Sequence, residues 1–108
     1  MKNTNENIHL EPSKKKNDKK IKIVFRNELT IFSIEGMKDE VNKALKNYEE
    51  INIEVKEVVN LDLSFVQLLH SLKLTAAESK KKLSLKVNIS DDLKTLLDNS
   101  DLSKVLYN

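Results

Sequence analysis

The chain has 108 residues, enough for one domain with one core, and its 19 basic and 17 acidic residues give a formal net charge of +2. With no cysteine it has no disulfide framework, thiol nucleophile or thiolate metal site. Its single glycine, Gly36, excludes the glycine-rich loops that bind nucleotide phosphates. No stretch has the pattern of a membrane span or signal peptide, so we expect a cytoplasmic protein. Because cysteines and a glycine-rich loop are missing, we also expect no cofactor.

The first 20 residues are polar and rich in lysine. This segment contains six lysines and three acidic residues, and its only sizeable apolar side chains are Met1, Ile8 and Leu10. So few apolar groups cannot offset the entropy lost on ordering the backbone. The composition predicts a flexible lysine-rich tail over residues 1–20, followed by a domain over residues 21–108.

Two strands and a helix are predicted after the tail. In residues 21–26 the apolar Ile21, Ile23 and Phe25 alternate with Lys22, Val24 and Arg26, which is typical of a strand. Asn27-Glu28 fits a tight turn into a second strand over residues 29–32. Ser33 is the expected N-cap of the first helix. Apolar residues then recur at three- and four-residue steps and define its core face: Ile34, Met37, Val41, Ala44, Leu45 and Tyr48.

The remaining pattern alternates strands and helices. Strands are predicted over residues 51–55 and 83–87, with a helix between them from about Ser64 to Lys80 and another helix starting at Ser90. Residues 102–106 suit a last helical turn. The order ββαβαβα(α) predicts an α/β fold, a mixed four-stranded sheet covered by three to four helices. The core face of the second helix is expected to contain Phe65, Leu68, Leu69, Leu72 and Ala76.

Residues suited to catalysis are scarce. His9 falls in the predicted tail, and His70 has no acidic neighbour three or four positions away. Adjacent carboxylates such as Asp91-Asp92 diverge around a helix and are better explained as capping residues. We therefore expect no enzymatic activity and no metal site.

The loop before the second helix is the most informative segment. Ser64 and Gln67 have the Ser-x-x-Gln spacing of a capping box, which gives Ser64 a structural role. A phosphoryl group at Ser64 would also meet the helix N-terminus, where N–H donors favour an anion. Both roles stay open, and capping is the simpler of the two.

Three short motifs stand in a recognisable order and spacing: Ile53-Glu54-Val55, Asp62-Leu63-Ser64-Phe65 and Leu83-Ser84-Leu85. Through them residues 21–106 resemble the STAS domain, the fold of anti-sigma-factor antagonists. Ile53-Glu54-Val55 is similar to the family's apolar-Asp-apolar strand, with Glu54 at the Asp position. Asp62-Leu63-Ser64-Phe65 stands where the family reads Asp-Ser-Ser-Gly or Asp-Ser-Ala-Gly, and Leu83-Ser84-Leu85 resembles its closing strand. The sequence from Asp62 to Leu69 is also similar to that of STAS proteins encoded near chemotaxis histidine kinases.

The resemblance implies a non-enzymatic protein-interaction module in bacterial signalling. Its partner would be an anti-sigma factor or a histidine-kinase-like protein. The family's usual phosphoacceptor position is occupied by Leu63, so we expect no stoichiometric phosphorylation, and Asp62, Leu63 and Ser64 become a candidate binding loop. The exposed side of the second helix is expected to extend that surface through Val66, His70, Lys73 and Leu74. Two alternatives remain: a STAS component of a lipid-transport ATPase complex, and a nucleic-acid-binding protein that uses the basic tail.

Overall fold

A computed structural model describes residues 7–14, 19–92 and 95. Its elements, in chain order, are β1 (Ile8–Pro12), β2 (Lys20–Leu29), α1 (Ile31–Asn47), β3 (Glu50–Leu61), α2 (Leu63–Glu78) and β4 (Lys82–Val87). The sheet has the order β1-β2-β3-β4. The β1–β2 pair is antiparallel, and the β2–β3 and β3–β4 pairs are parallel. The predicted α/β class with a mixed four-stranded sheet is confirmed.

The described part of the chain contains two full helices, fewer than predicted. The predicted third helix begins in it, since Asp91, Asp92 and Thr95 have helical backbone. The rest of that helix and the predicted turn over residues 102–106 lie outside the described residues.

One face of the sheet carries the hydrophobic core. Alternate residues of β2 and β3 point to this face, because side chains of a strand alternate between its two faces. The ring centroids of Phe25 on β2 and Phe65 on α2 lie 5.0 Å apart at 72°, an edge-to-face contact. The predicted core face of α1 is confirmed for Ile34, Met37, Val41, Ala44 and Leu45, all of which are buried.

The prediction of a flexible tail is wrong for residues 8–12, which form β1. Ile8 pairs with Phe25 in the antiparallel ladder, and its side chain is only 8% exposed. Ile8 and Leu10 alternate with the exposed residues His9 and Glu11. A short edge strand of this kind is stabilised by its ladder hydrogen bonds and one apolar face, a local pattern that the polar average composition of residues 1–20 conceals.

The predicted hairpin at Asn27-Glu28 is also wrong, because β2 continues through it to Leu29. Asn27 has the expected positive φ of 66°, but it lies at a bulge in the β2–β3 ladder rather than in a turn. Between the pairs Phe25–Val55 and Leu29–Leu61, four residue steps of β2 are matched by six of β3. Glu57, with φ 51°, absorbs part of this excess in β3.

The first helix begins earlier than predicted. Thr30 is its N-cap, and the Thr30 hydroxyl accepts a hydrogen bond from the backbone N–H of Phe32. Ser33 is the third helical residue, and its hydroxyl accepts a bond from the N–H of Thr30 at 3.2 Å, which completes a capping box. Residues 31 and 32, predicted as strand, are therefore helical.

Lys81, which follows the end of α2, connects the C-terminal ends of the two helices. Lys80 has φ 57°, and the N–H of Lys81 bonds to the carbonyl of Ala76 at 2.8 Å, so α2 ends in a Schellman motif. The Lys81 ammonium then donates to the carbonyls of Leu45 and Tyr48 at the end of α1. This places a cation where the α1 dipole favours one.

The opposite face of the sheet is mostly polar, although Val24 is buried in it at 3% exposure, and no described helix packs on it. Lys22 on β2 and Glu54 on β3 form an ion pair there, with 3.0 Å between Lys22 Nζ and Glu54 Oε1. Their hydrogen bond raises the pKa of Lys22 and lowers the pKa of Glu54. Both groups therefore stay charged across the neutral pH range, as suits a solvent-facing sheet surface.

Candidate functional site

The carboxyl ends of β2 and β3 and the N-termini of α1 and α2 meet at one end of the sheet. The N–H of Asp62 bonds to the carbonyl of Leu29 at 3.1 Å, which extends the β2–β3 pairing by one residue. The Asp62 carboxylate also accepts a bond from the N–H of Ile31, with 2.9 Å to Oδ2. The first turns of both helices therefore lie side by side.

Asp62 accepts hydrogen bonds from the first turns of both helices. Its Oδ1 accepts a 2.9 Å bond from the N–H of Ser64 and so caps α2, while its Oδ2 satisfies the first N–H of α1, whose N-cap is Thr30. A negative charge at this place also suits the dipoles of both helices. The prediction that Ser64 is the N-cap is wrong, because Asp62 takes that position and Ser64 is the second helical residue.

Exposed apolar side chains lie on the segments that meet at Asp62. Within the described residues, five large apolar side chains are exposed, and four of them lie at this end of the sheet. We call these four the apolar corner: Ile31 (58% exposed), Phe32 (95%), Val59 (65%) and Leu63 (49%). Adjacent exposed apolar groups at the carboxyl ends of parallel strands are a typical setting for binding.

Sequence reasoning found Leu63 but missed the other three residues of the apolar corner. Phe32 precedes the buried Ile34 by two positions, which places it about 200° around the helix from the core face. The exposure of Phe32 follows from its helical position only if α1 begins before Phe32. It was missed because residues 29–32 were predicted as a strand. Val59 is turned outwards near the β3 bulge, which no sequence pattern indicated.

The predicted binding face of α2 is partly wrong. Val66 is 1% exposed and belongs to the core, so its side chain is not available to a partner. His70 and Leu74 are exposed, and Lys73 is half-buried. Partial burial lowers the pKa of Lys73. Leu63 and Leu74 are eleven positions apart, roughly 20° around the helix, so they share one side of α2.

The described residues offer little for metal or membrane chemistry. They contain no group of three or more His, Asp or Glu side chains that could hold a metal ion. None of the described helices is long and apolar enough to cross a membrane. Glu54, at the position where the STAS pattern has Asp, lies on the polar sheet face in its ion pair with Lys22, outside the apolar corner.

A family model described as "Mlab, STAS domain" matches residues 13–107. The chain belongs to the STAS domain family. Among solved structures, the STAS fold of this chain matches SpoIIAA, a Bacillus cell fate determinant, in its phosphorylated form. The TM-score is 0.63 with 16% sequence identity, over 90% of this chain and 86% of SpoIIAA, a likeness of fold. No curated protein matches the sequence.

The two hydrogen bonds of Asp62 predict that Asp62→Ala destabilises this STAS domain more than Ser64→Ala does. Asp62→Ala should lower the free energy of unfolding by about 1–3 kcal/mol, because it removes the acceptor of two helix N–H groups. Ser64→Ala should change it by less than about 0.5 kcal/mol, because Ala suits a helix interior and Ser64 is not the cap. Urea denaturation of both variants measures the difference, and a larger loss for Ser64→Ala would contradict the assignment of the cap.

Proposed function

We propose that this STAS domain is a non-enzymatic protein-interaction module in bacterial signalling that binds its partner through the apolar corner. The exposure of Phe32 carries this proposal. An aromatic ring that is 95% exposed gains nothing from folding, whereas it can contribute strongly when a partner desolvates it. Asp62 accepts the N–H groups of Ile31 and Ser64 and so fixes the backbone of the two first turns that carry Ile31, Phe32 and Leu63; the surface therefore loses less backbone entropy when it binds.

The partner we propose is an anti-sigma factor or a histidine-kinase-like protein. Family membership supports a role in binding, and the similar fold of a cell fate determinant supports a role in signalling. The proposed subgroup remains the STAS proteins encoded near chemotaxis kinases, because the sequence of residues 62–69 is similar to theirs. Leu74 and His70 extend the surface along α2, on the same side as Leu63.

Regulation at this surface is proposed to differ from a conventional phosphoswitch. Leu63 has no hydroxyl at the family's acceptor position, and the Asp62 carboxylate, which binds the N–H of Ser64 at 2.9 Å, would repel a phosphoryl group on Ser64. We expect the intact mass of the protein to show no phosphoryl addition after incubation with the partner kinase and ATP. A complete phosphoryl addition on Ser64 would overturn this expectation and identify Ser64 as a shifted acceptor.

Titration against purified candidate partners from the same organism tests the proposed binding surface. Phe32→Glu should weaken the Kd at least about 30-fold, because it places an unpaired charge at the centre of the contact. Asn42→Glu is the matched control, since it adds the same charge at another exposed position of α1 and should leave the Kd within about two-fold. Equal effects of the two changes would contradict the surface. Binding to a transport ATPase subunit instead of a signalling protein would support the lipid-transport alternative.

A further inference from the structure

The end of the sheet opposite the apolar corner gathers lysines from separate parts of the chain. Backbone hydrogen bonds hold them together: Ser13 N–H to Lys20 O at 3.0 Å, Glu49 N–H to Lys19 O at 2.8 Å, and Lys82 N–H to Glu49 O at 3.0 Å. We call this surface the basic end. Its exposed cations are Lys14, Lys19, Lys20, Lys46, Lys80 and Lys82.

The charge of the molecule is concentrated at the basic end. The acidic residues among these lysines are Glu49, Glu50 and Glu78. With the half-buried Lys81 included, seven lysines and three carboxylates give this end a net charge of +4. The described residues contain 14 basic and 13 acidic side chains in all, so those outside the basic end have a net charge of −3. The protein is polarised along its strands, with the lysines at the amino ends of the parallel strands.

Helix stabilisation explains only part of this cluster. Lys46 and Lys80 lie at the C-termini of α1 and α2, where cations suit the helix dipoles. Lys14, Lys19, Lys20 and Lys82 belong to a loop and to strand starts rather than to a helix. Lys20 and Lys82 both flank Glu50 in the parallel ladders, so their Cα atoms lie about 10 Å apart across a broad surface.

We infer that the basic end is a second binding surface, one that docks on an anionic lipid membrane. All its cations are lysines, which act as point charges and suit a plane of lipid headgroups. Nucleic acid fits less well, because the basic end offers no arginine fork, no exposed aromatic ring for stacking and no helix directed into a groove. The sole arginine, Arg26, lies towards the other end of β2.

Docking by the basic end would leave the apolar corner accessible. The ten residues of β2 separate the two surfaces by about 30 Å, which is several times the screening length at physiological salt. A membrane-bound molecule would thus present Phe32 away from the lipid. This inference does not rest on the proposed function, since Phe32→Glu should leave lipid binding unchanged.

Co-sedimentation of the full chain with vesicles tests this inference. We expect binding to phosphatidylcholine vesicles that contain phosphatidylglycerol, little binding to phosphatidylcholine alone, and a steep fall with added salt. The double variant Lys19→Gln with Lys82→Gln should lower the partition coefficient about 25-fold, at about five-fold for each lysine. The control Lys56→Gln with Lys86→Gln, on the polar sheet face more than a screening length away, should lower it less than about five-fold.

Three outcomes would overturn the inference. The first is no preference for vesicles that contain phosphatidylglycerol. The second is an equal loss in the Lys19/Lys82 and Lys56/Lys86 variants, which would indicate a general effect of net charge. The third is tighter binding to a short DNA duplex than to vesicles at the same salt concentration, which would assign the basic end to nucleic acid. Thermal unfolding of both double variants controls for loss of structure.

Discussion

Phe65→Ala is expected to lower the free energy of unfolding by about 3–5 kcal/mol. Phe65 is fully buried and meets the ring of Phe25 edge-to-face at 5.0 Å, so the change leaves a cavity between α2 and the sheet and removes an aromatic contact. Because small domains are stabilised by only about 5–15 kcal/mol, this loss is a large part of the total stability. Urea denaturation followed by circular dichroism measures the loss.

Phe32→Ala is the matched control for Phe65→Ala. The chemical change is identical, but the ring of Phe32 is 95% exposed, so the free energy of unfolding should move by less than about 0.5 kcal/mol. Comparable losses in the two variants would show that Phe32 packs against the protein and would remove the main support for the apolar corner. A stable Phe32→Ala variant with weakened partner binding would instead separate folding from function at this residue.

Ile8→Ala is expected to cost about 2–4 kcal/mol, because Ile8 closes the core at the edge of the sheet. Its side chain is 8% exposed and lies in register with Phe25. The change removes buried apolar surface and leaves the β1–β2 backbone hydrogen bonds in place. Thermal and urea unfolding of the full chain measure the effect.

His9→Ala controls for the strand itself. His9 is the next residue of β1, but it is exposed, and its Nε2 lies 3.3 Å from Glu11 Oε2 in a surface pair. Such pairs contribute little to stability, so a change within about 0.5 kcal/mol is expected. If Ile8→Ala proved equally mild, residues 8–12 would add nothing to the domain and the prediction of a flexible tail would regain its support.

The periodicity of apolar residues predicted most of the secondary structure. The core face of α1 was correct because its apolar residues recur on one side only, which leaves a single way to pack the helix. In α2 the run Phe65-Val66 and Leu68-Leu69 allows more than one rotation. The helix packs with Val66 inside and Leu68 half-buried, the reverse of the prediction.

The errors in the N-terminal half arise because the same residue type suits two different local structures. Asn27 adopts positive φ in a hairpin turn and in a bulge alike, so the residue type predicted the local conformation but not the continuation of β2. The partner strand was also misplaced. The antiparallel neighbour of β2 is β1, which lies before it in the sequence inside a segment of polar composition.

The position of the candidate site was predictable, whereas its composition was not. The loop around Asp62 follows from the strand-to-helix pattern, but Asp62 and Ser64 are equally good capping residues and their types do not decide which one caps. The packing decides it, because only Asp62 is also placed to accept the N–H of Ile31 from the other helix. The exposure of Phe32 depends on the same helix start and was missed for that reason.

Because the Asp62 carboxylate accepts an N–H group from the first turn of each helix, we expect the two turns to fray together. Opening α1 at Ile31 frees one oxygen of Asp62, and rotation of the carboxylate to regain a partner disturbs its bond to Ser64 at the start of α2. Local unfolding at this end of the sheet is therefore cooperative between elements that are 31 residues apart in sequence. A partner that engages either turn alone would stabilise the other turn as well, through Asp62.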